Sequence, residues 1–205
     1  MKRSTLISLK TLVWIACLCP LADLLWGAVT NTLGPDPTAE IANVTGLTAL
    51  WMLAITLAIS PVRRLSVRLA WLIKFRRLLG LFVFFYATLH LLTYVALYAG
   101  FDLNTVKTDI TKRRFIIMGM TTYLLLLPLA LTSTNWAIRK LGGKNWNRLH
   151  KLIYLAAICA TIHYWWKVKT GVLTPAPFTL VLLALLLARP VMAWMQRRKV
   201  RAVAV

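Results

Sequence analysis

Apolar residues in this chain come in long, nearly unbroken runs near residues 11–29, 44–60, 79–99, 115–132, 150–166 and 174–194. A helix needs about 20 such residues to cross a hydrocarbon core of about 30 Å. The stretch Asn31-Thr-Leu-Gly-Pro-Asp-Pro37, Pro61 and the Gly142-Gly143 pair punctuate the runs, as turn-forming residues do. The pattern predicts an all-α integral membrane protein, a six-helix transmembrane bundle forming one domain over residues 1–205. Only the short basic turn from Lys167 to Leu173 separates runs five and six, which predicts an antiparallel hairpin. No sequence repeat and no soluble domain large enough to fold alone is evident.

Composition reinforces this class. Hydrophobic residues make up 60% of the 205 and mean hydropathy is +0.71, more apolar than a soluble core of this length can hide. The formal charge of +20 would point to nucleic acid in a soluble protein. Here the basic residues sit between apolar runs, without a recognition helix or zinc spacing, so anionic lipid headgroups are the expected partner and nucleic acid is not. Nineteen of the 25 Lys and Arg fall at the termini and in alternate loops, six in the other loops. Basic residues are retained on the cytoplasmic side, which places both termini in the cytoplasm. The opposite side holds Asp36, Glu40, Asp102 and Asp109, yet is locally basic at Lys107, Lys112, Arg113 and Arg114. That basic loop suits docking of an acidic partner surface. Lys2, Arg3 and Lys10 before the first run imitate a signal peptide, but the run is long and lacks a small-x-small cleavage site, so a retained anchor is expected. Cys17, Cys19 and Cys159 form no C-x-x-C or C-x-x-C-H motif, so any haem is noncovalent.

Ionisable residues at membrane depth are costly and usually functional. His90 and His163 lie in the third and fifth runs, each roughly 12–15 Å inside the same end of the bundle at 1.5 Å per helical residue. Two neutral imidazoles at one depth can sandwich a haem iron, and an iron so filled suits electron transfer rather than oxygen chemistry. Ala87, Ala156, Cys159 and Ala160 would leave room for a flat macrocycle, or simply let helices approach. His150, 13 residues before His163, stands at the entrance of the fifth helix about 140° round from it, and is a second ligand or a boundary hydrogen-bonding group. Asp23 in the first run is expected to pair with a buried polar group or reach the interface, with a proton relay as the alternative. Trp146, Trp165 and Trp166 are expected in the interfacial aromatic belt. The rival classes are a proton-coupled transporter, a haem-free membrane anchor and a ferric reductase acting on metal.

The stretches Arg76-Arg-Leu-Leu-Gly-Leu, Ala87-Thr-Leu-His-Leu-Leu-Thr-Tyr94, Leu129-Ala-Leu-Thr-Ser-Thr134, Trp146-Asn-Arg-Leu-His-Lys-Leu-Ile-Tyr154 and Ile162-His-Tyr164 resemble the MsrQ family, also called YedZ, within the ferric reductase transmembrane proteins. With Leu33-Gly-Pro-Asp-Pro37 and Thr45-Gly46, the resemblance spans nearly the whole chain. It implies a b-type cytochrome of the bacterial inner membrane. Such a subunit takes electrons from the quinone pool or a cytoplasmic flavin reductase and passes them to MsrP, a periplasmic molybdenum enzyme that reduces methionine sulfoxide. The resemblance implies haem b, one or two, and also flavin mononucleotide (FMN). His90, His150 and His163 match the family histidines and are the metal ligands it implies. The wider ferric reductase pattern has a further histidine 13 or 14 positions before His90, where this chain has Arg77 and Arg76. Those arginines suit haem propionates or a flavin phosphate, since guanidinium pairs bidentately with oxyanions, or serve as positive-inside charge.

Overall fold

The computed structural model describes residues 3–168 and 175–203, so most of the expected turn from Lys167 to Leu173 lies outside the described residues. All regular structure within them is helical. Helix α1 spans Arg3–Thr30 and α2 Pro37–Leu65. A 3-10 segment, Val67–Phe75, leads into α3, Arg76–Thr93, which ends in a π-turn over Tyr94–Tyr98. Then follow α4 (Leu103–Lys112), α5 (Arg114–Leu131), α6 (Asn135–Leu149), α7 (Leu152–Lys167) and α8 (Ala176–Val203). Among the described residues, four stretches are long and apolar enough to cross a membrane: Arg3–Thr30, Pro37–Leu65, Val67–Tyr98 and Arg114–Leu131. Helix α7 has 16 residues.

Caps set the boundaries. Asp36 accepts from Ala39 N–H ahead of Pro37, whose missing N–H costs nothing at a helix start. Asp102 caps α4 by accepting from Asn104 and Thr105, and Thr134 caps α6 through Ala137 N–H. Both short helices are polar connectors that no apolar run foretells. Gly142 takes φ +72° inside α6, a left-handed conformation that breaks the helix there and that glycine adopts without strain.

Helix α2 packs most extensively on α3, and α5 on α7, with α3 against α5 between the pairs. Helix α1 flanks α2 and α3, while α8 lies on α2 and α7, seating Phe178 edge-on to Trp51 at 5.5 Å. The core runs through Leu53, Leu57, Val83, Tyr86, Ala156 and Ala157, all at most 2% exposed. Large apolar side chains face outward instead, among them Leu25, Trp26, Leu124 and Leu180, each at least 59% exposed. In water that surface would drive aggregation. In lipid it is the favoured solvent contact, and helices alone satisfy their backbone groups there.

The two helix pairs are copies. Residues 73 positions apart in the chain occupy matching places: Asp36 and Asp109, Gly46 and Gly119, Thr48 and Thr121, Ser60 and Ser133, and Ala87-Thr-Leu-His90 and Ala160-Thr-Ile-His163. This corrects the expectation that the chain has no repeat. Apolar positions exchange freely between the copies because lipid-facing and core sites accept any apolar residue of suitable size, so only the motif positions retain the signal.

Tyr86, fully buried on α3, penetrates α1. Its hydroxyl donates to the Cys17 carbonyl at 2.7 Å and accepts from Leu21 N–H at 3.2 Å. Those two groups are i and i+4 partners beside Pro20, so the phenol bridges both ends of one rung of the α1 ladder. Tyr86→Phe removes both bonds to the hydroxyl and is expected to cost about 1–3 kcal/mol. A lowered melting temperature in detergent checks this; an unchanged one would show that α1 satisfies both groups without the phenol.

Candidate functional site

The repeat places His90 on α3 and His163 on α7 opposite each other. Their ring centroids are 6.0 Å apart and their planes meet at 84°. Each ring is held from the start of the helix packed against it. His90 Nδ1 donates to the Ala42 carbonyl on α2 at 2.9 Å, and His163 Nδ1 donates to the Phe115 carbonyl on α5 at 2.6 Å. Both bonds join residues 48 apart, the same connection made twice. With the proton committed to Nδ1, each Nε2 keeps its lone pair, the tautomer of a metal-ligating histidine oriented by a carbonyl.

Glycine makes this seating possible. A Cβ at Gly46 would stand 3.0 Å from His90 Cε1 and Nδ1; one at Gly119 would stand 2.9 Å from the same atoms of His163. Each glycine lies four residues beyond its carbonyl, on the same helix face, so carbonyl and glycine form one cradle per ring. Thr45 Oγ1 approaches His90 Nδ1 at 3.5 Å, whereas Met118 stands at the equivalent place beside His163.

His150 is separate from this pair. It is the C-cap of α6, with a turn at Lys151 before α7 begins, so it does not belong to the helix of His163 and the expected 140° offset along one helix does not apply. Its ring stacks on Trp146 at 3.8 Å and shares a 3.1 Å hydrogen bond between Nε2 and Thr132 Oγ1. Burial, then the charges of Arg76 and Arg77, push its pKa down to about 4, so it is neutral at pH 7. Trp146 donates from Nε1 to the Thr132 carbonyl at 2.9 Å and so belongs to this site rather than to an interfacial belt alone. Trp165 donates to Thr179 on α8, and Trp166 is exposed. Asp23 is exposed on α1, and Cys17 and Cys159 are buried free thiols.

The expected arginine pair divides. Arg76 joins Trp146, Asn147, His150, Lys151 and Tyr154 around a pocket of about 190 Å³. Arg77 Nη1 donates to Asn135 Oδ1 at the head of α6 at 2.6 Å and lines a different groove of about 660 Å³ against α1. In the repeat, Arg77 stands where the second copy has His150. The smaller pocket is below the roughly 300–1,000 Å³ of ordinary small-molecule sites, and its lining of cations and stacked aromatics suits a phosphate or a ring edge.

An apolar helical bundle enclosing two imidazoles, each presented by a duplicated helix pair, defines a multi-pass membrane protein with a histidine-lined interior. The chain belongs to the family of ferric reductase like transmembrane components, which matches residues 45–161, a span that holds both cradle glycines and His90 and ends just short of His163. Its relatives include proteins named protein-methionine-sulfoxide reductase heme-binding subunit MsrQ. That of Herminiimonas arsenicoxydans is 43% identical across 96% of this chain and 90% of the relative, and that of Xanthomonas axonopodis pv. citri is 45% identical across 90% and 87%.

Proposed function

We propose that this chain is a b-type cytochrome subunit that carries electrons across the bacterial inner membrane to a periplasmic molybdenum-containing methionine sulfoxide reductase, MsrP. The observation that supports this best is the pair of matched imidazoles with both Nδ1 protons committed to carbonyls. Two rings ligating one metal through nitrogens at about 2 Å would have centroids roughly 6 Å apart. The donor set and the glycine cradles thus fit haem b, which His90 and His163 would hold through their Nε2 atoms.

When bound, haem supplies a one-electron couple. The protein's own share is to hold the two rings rigidly, keep their ligating nitrogens unprotonated and exclude water with an apolar surround. Rings held this rigidly would need little rearrangement on a one-electron change of a bound cofactor. A single haem does not span about 30 Å of hydrocarbon, so a cytoplasmic donor needs a second carrier. His150, with Arg76 beside it and Arg77 nearby, is the place for it, whether a second haem, FMN or a quinol. The pocket's size favours the phosphate or ring of a flavin, or a quinol head, over a macrocycle.

Six spans with both termini cytoplasmic complete this arrangement. They put the His90 and His163 end at the periplasmic face and the His150 end at the cytoplasmic face, toward a quinol or flavin reductase donor. Helix α4, with Lys107 and Lys112 and followed by Arg113, then offers the partner a basic docking surface.

The test is a reduced-minus-oxidised absorption spectrum of the detergent-purified protein with haem quantified per chain, followed by electron delivery to the purified partner. A low-spin b-type signal that is reoxidised when oxidised partner and methionine sulfoxide are added is expected. A colourless protein from haem-replete cells would overturn the proposal and leave a transporter or an anchor.

A further inference from the structure

Beyond the histidine pair, one charged side chain reaches across the α4 end of the same interior. Lys167 ends α7, one turn beyond His163, and its ammonium donates to Asn43 Oδ1 on α2. Asn43 adjoins Ala42, whose carbonyl holds His90. The side chain therefore bridges from the helix of one imidazole to the helix that seats the other, and its charge bears on both rings.

The repeat shows what is unusual here. The counterpart of Lys167 is Tyr94, one turn beyond His90, whose hydroxyl donates to Asp109 at 3.1 Å; Asp109 is also bridged to Arg113 at 3.0 Å. That side of the rim is complete. Lys167 has no carboxylate within ion-pair distance among the described residues, and its hydrogen-bond partner is a neutral amide. A cation held by an amide at the mouth of an interior lined by two ligating histidines is a position that an anion would complete.

We propose that Lys167 clamps a propionate carboxylate of the haem, an inference that rests on the haem assignment above. Propionates are the anionic groups of that cofactor, and a group one helical turn, about 5.4 Å, beyond an axial ligand is placed to meet them at the ring edge. Ammonium to carboxylate is a charge-assisted bond, stronger than the bond to the amide, and Asn43 keeps the ammonium over the rim. A positive charge at this place also disfavours the more positive ferric state, so it raises the reduction potential.

Two readouts test this in Lys167→Met and Lys167→Arg proteins: the haem midpoint potential by spectroelectrochemistry, and binding of haem against haem dimethyl ester to apo-protein. The intact protein is expected to prefer haem over its ester by about threefold to tenfold, the span for a partly exposed charged bond. Lys167→Met keeps the bis-imidazole spectrum, lowers the midpoint potential and erases the preference by weakening haem alone. Lys167→Arg restores both. If Lys167→Met keeps the preference and the potential, the clamp is wrong while the histidine ligands stand. If the intact protein takes up no haem, the ligand assignment falls and takes the clamp with it.

Discussion

His163→Ala is expected to abolish the low-spin haem spectrum, and His90→Ala to do the same, because the proposed ligation uses both rings and the repeat makes them equivalent. Each change removes one of the two proposed ligating nitrogens and also leaves a backbone carbonyl, Phe115 or Ala42, without the proton it accepts. An orphaned buried carbonyl costs about 1–3 kcal/mol, which a multi-helix bundle tolerates. Helicity by circular dichroism should therefore persist while the haem signal vanishes. A normal spectrum in either variant would show that the ligands lie elsewhere.

The second large effect is expected from a smaller change. Gly119→Ala places a methyl 2.9 Å from His163 Cε1 and Nδ1, closer than real Cβ contacts allow. The ring has to move, and moving it breaks a 2.6 Å hydrogen bond that sets both its tautomer and its direction. Loss of such an orienting partner typically costs about 10–100-fold in metal affinity. Helix propensity acts the other way, since alanine is favoured over glycine by about 1 kcal/mol. The gain offsets part of the lost bond, so the variant without haem should melt at or modestly below the parent, yet bind haem at least tenfold more weakly. Gly46→Ala, at 3.0 Å from His90, is expected to follow in the same direction with a smaller loss. Unchanged haem affinity in Gly119→Ala would mean that the cradle is incidental packing.

The long apolar runs were legible because membrane hydrophobicity is local and continuous, needing no knowledge of what packs against what. Helices α4 and α6 were not, since their polar residues carry no such signal, although the capping pairs Asp102 with Asn104 and Thr105, and Thr134 with Ala137, stood in the sequence. Counting helical residues inward from the same end of the bundle brought His90 and His163 to one level. It was silent on the Ala42 and Phe115 carbonyls, because backbone acceptors have no letter in a sequence. The cradle glycines did leave a trace: Gly46 lies 44 residues before His90, as Gly119 does before His163. Comparing the two histidines' flanking residues at a shift of 73 would have found them. His150 was misplaced onto the following helix because neither Leu149 nor Lys151 announces a cap.

The rung of α1 that Tyr86 bridges bears on how the bundle is assembled. That phenol stands 65 residues after Leu21 in the chain, so α1 leaves the ribosome well ahead of the residue that completes it. Until α3 arrives, α1 can close its own Cys17 to Leu21 bond as a lone helix in lipid. Docking then brings the Tyr86 hydroxyl onto both groups of that rung, so the phenol enters the apolar core with its own donor and acceptor satisfied. The first helix thus carries a latch that only the third can fasten.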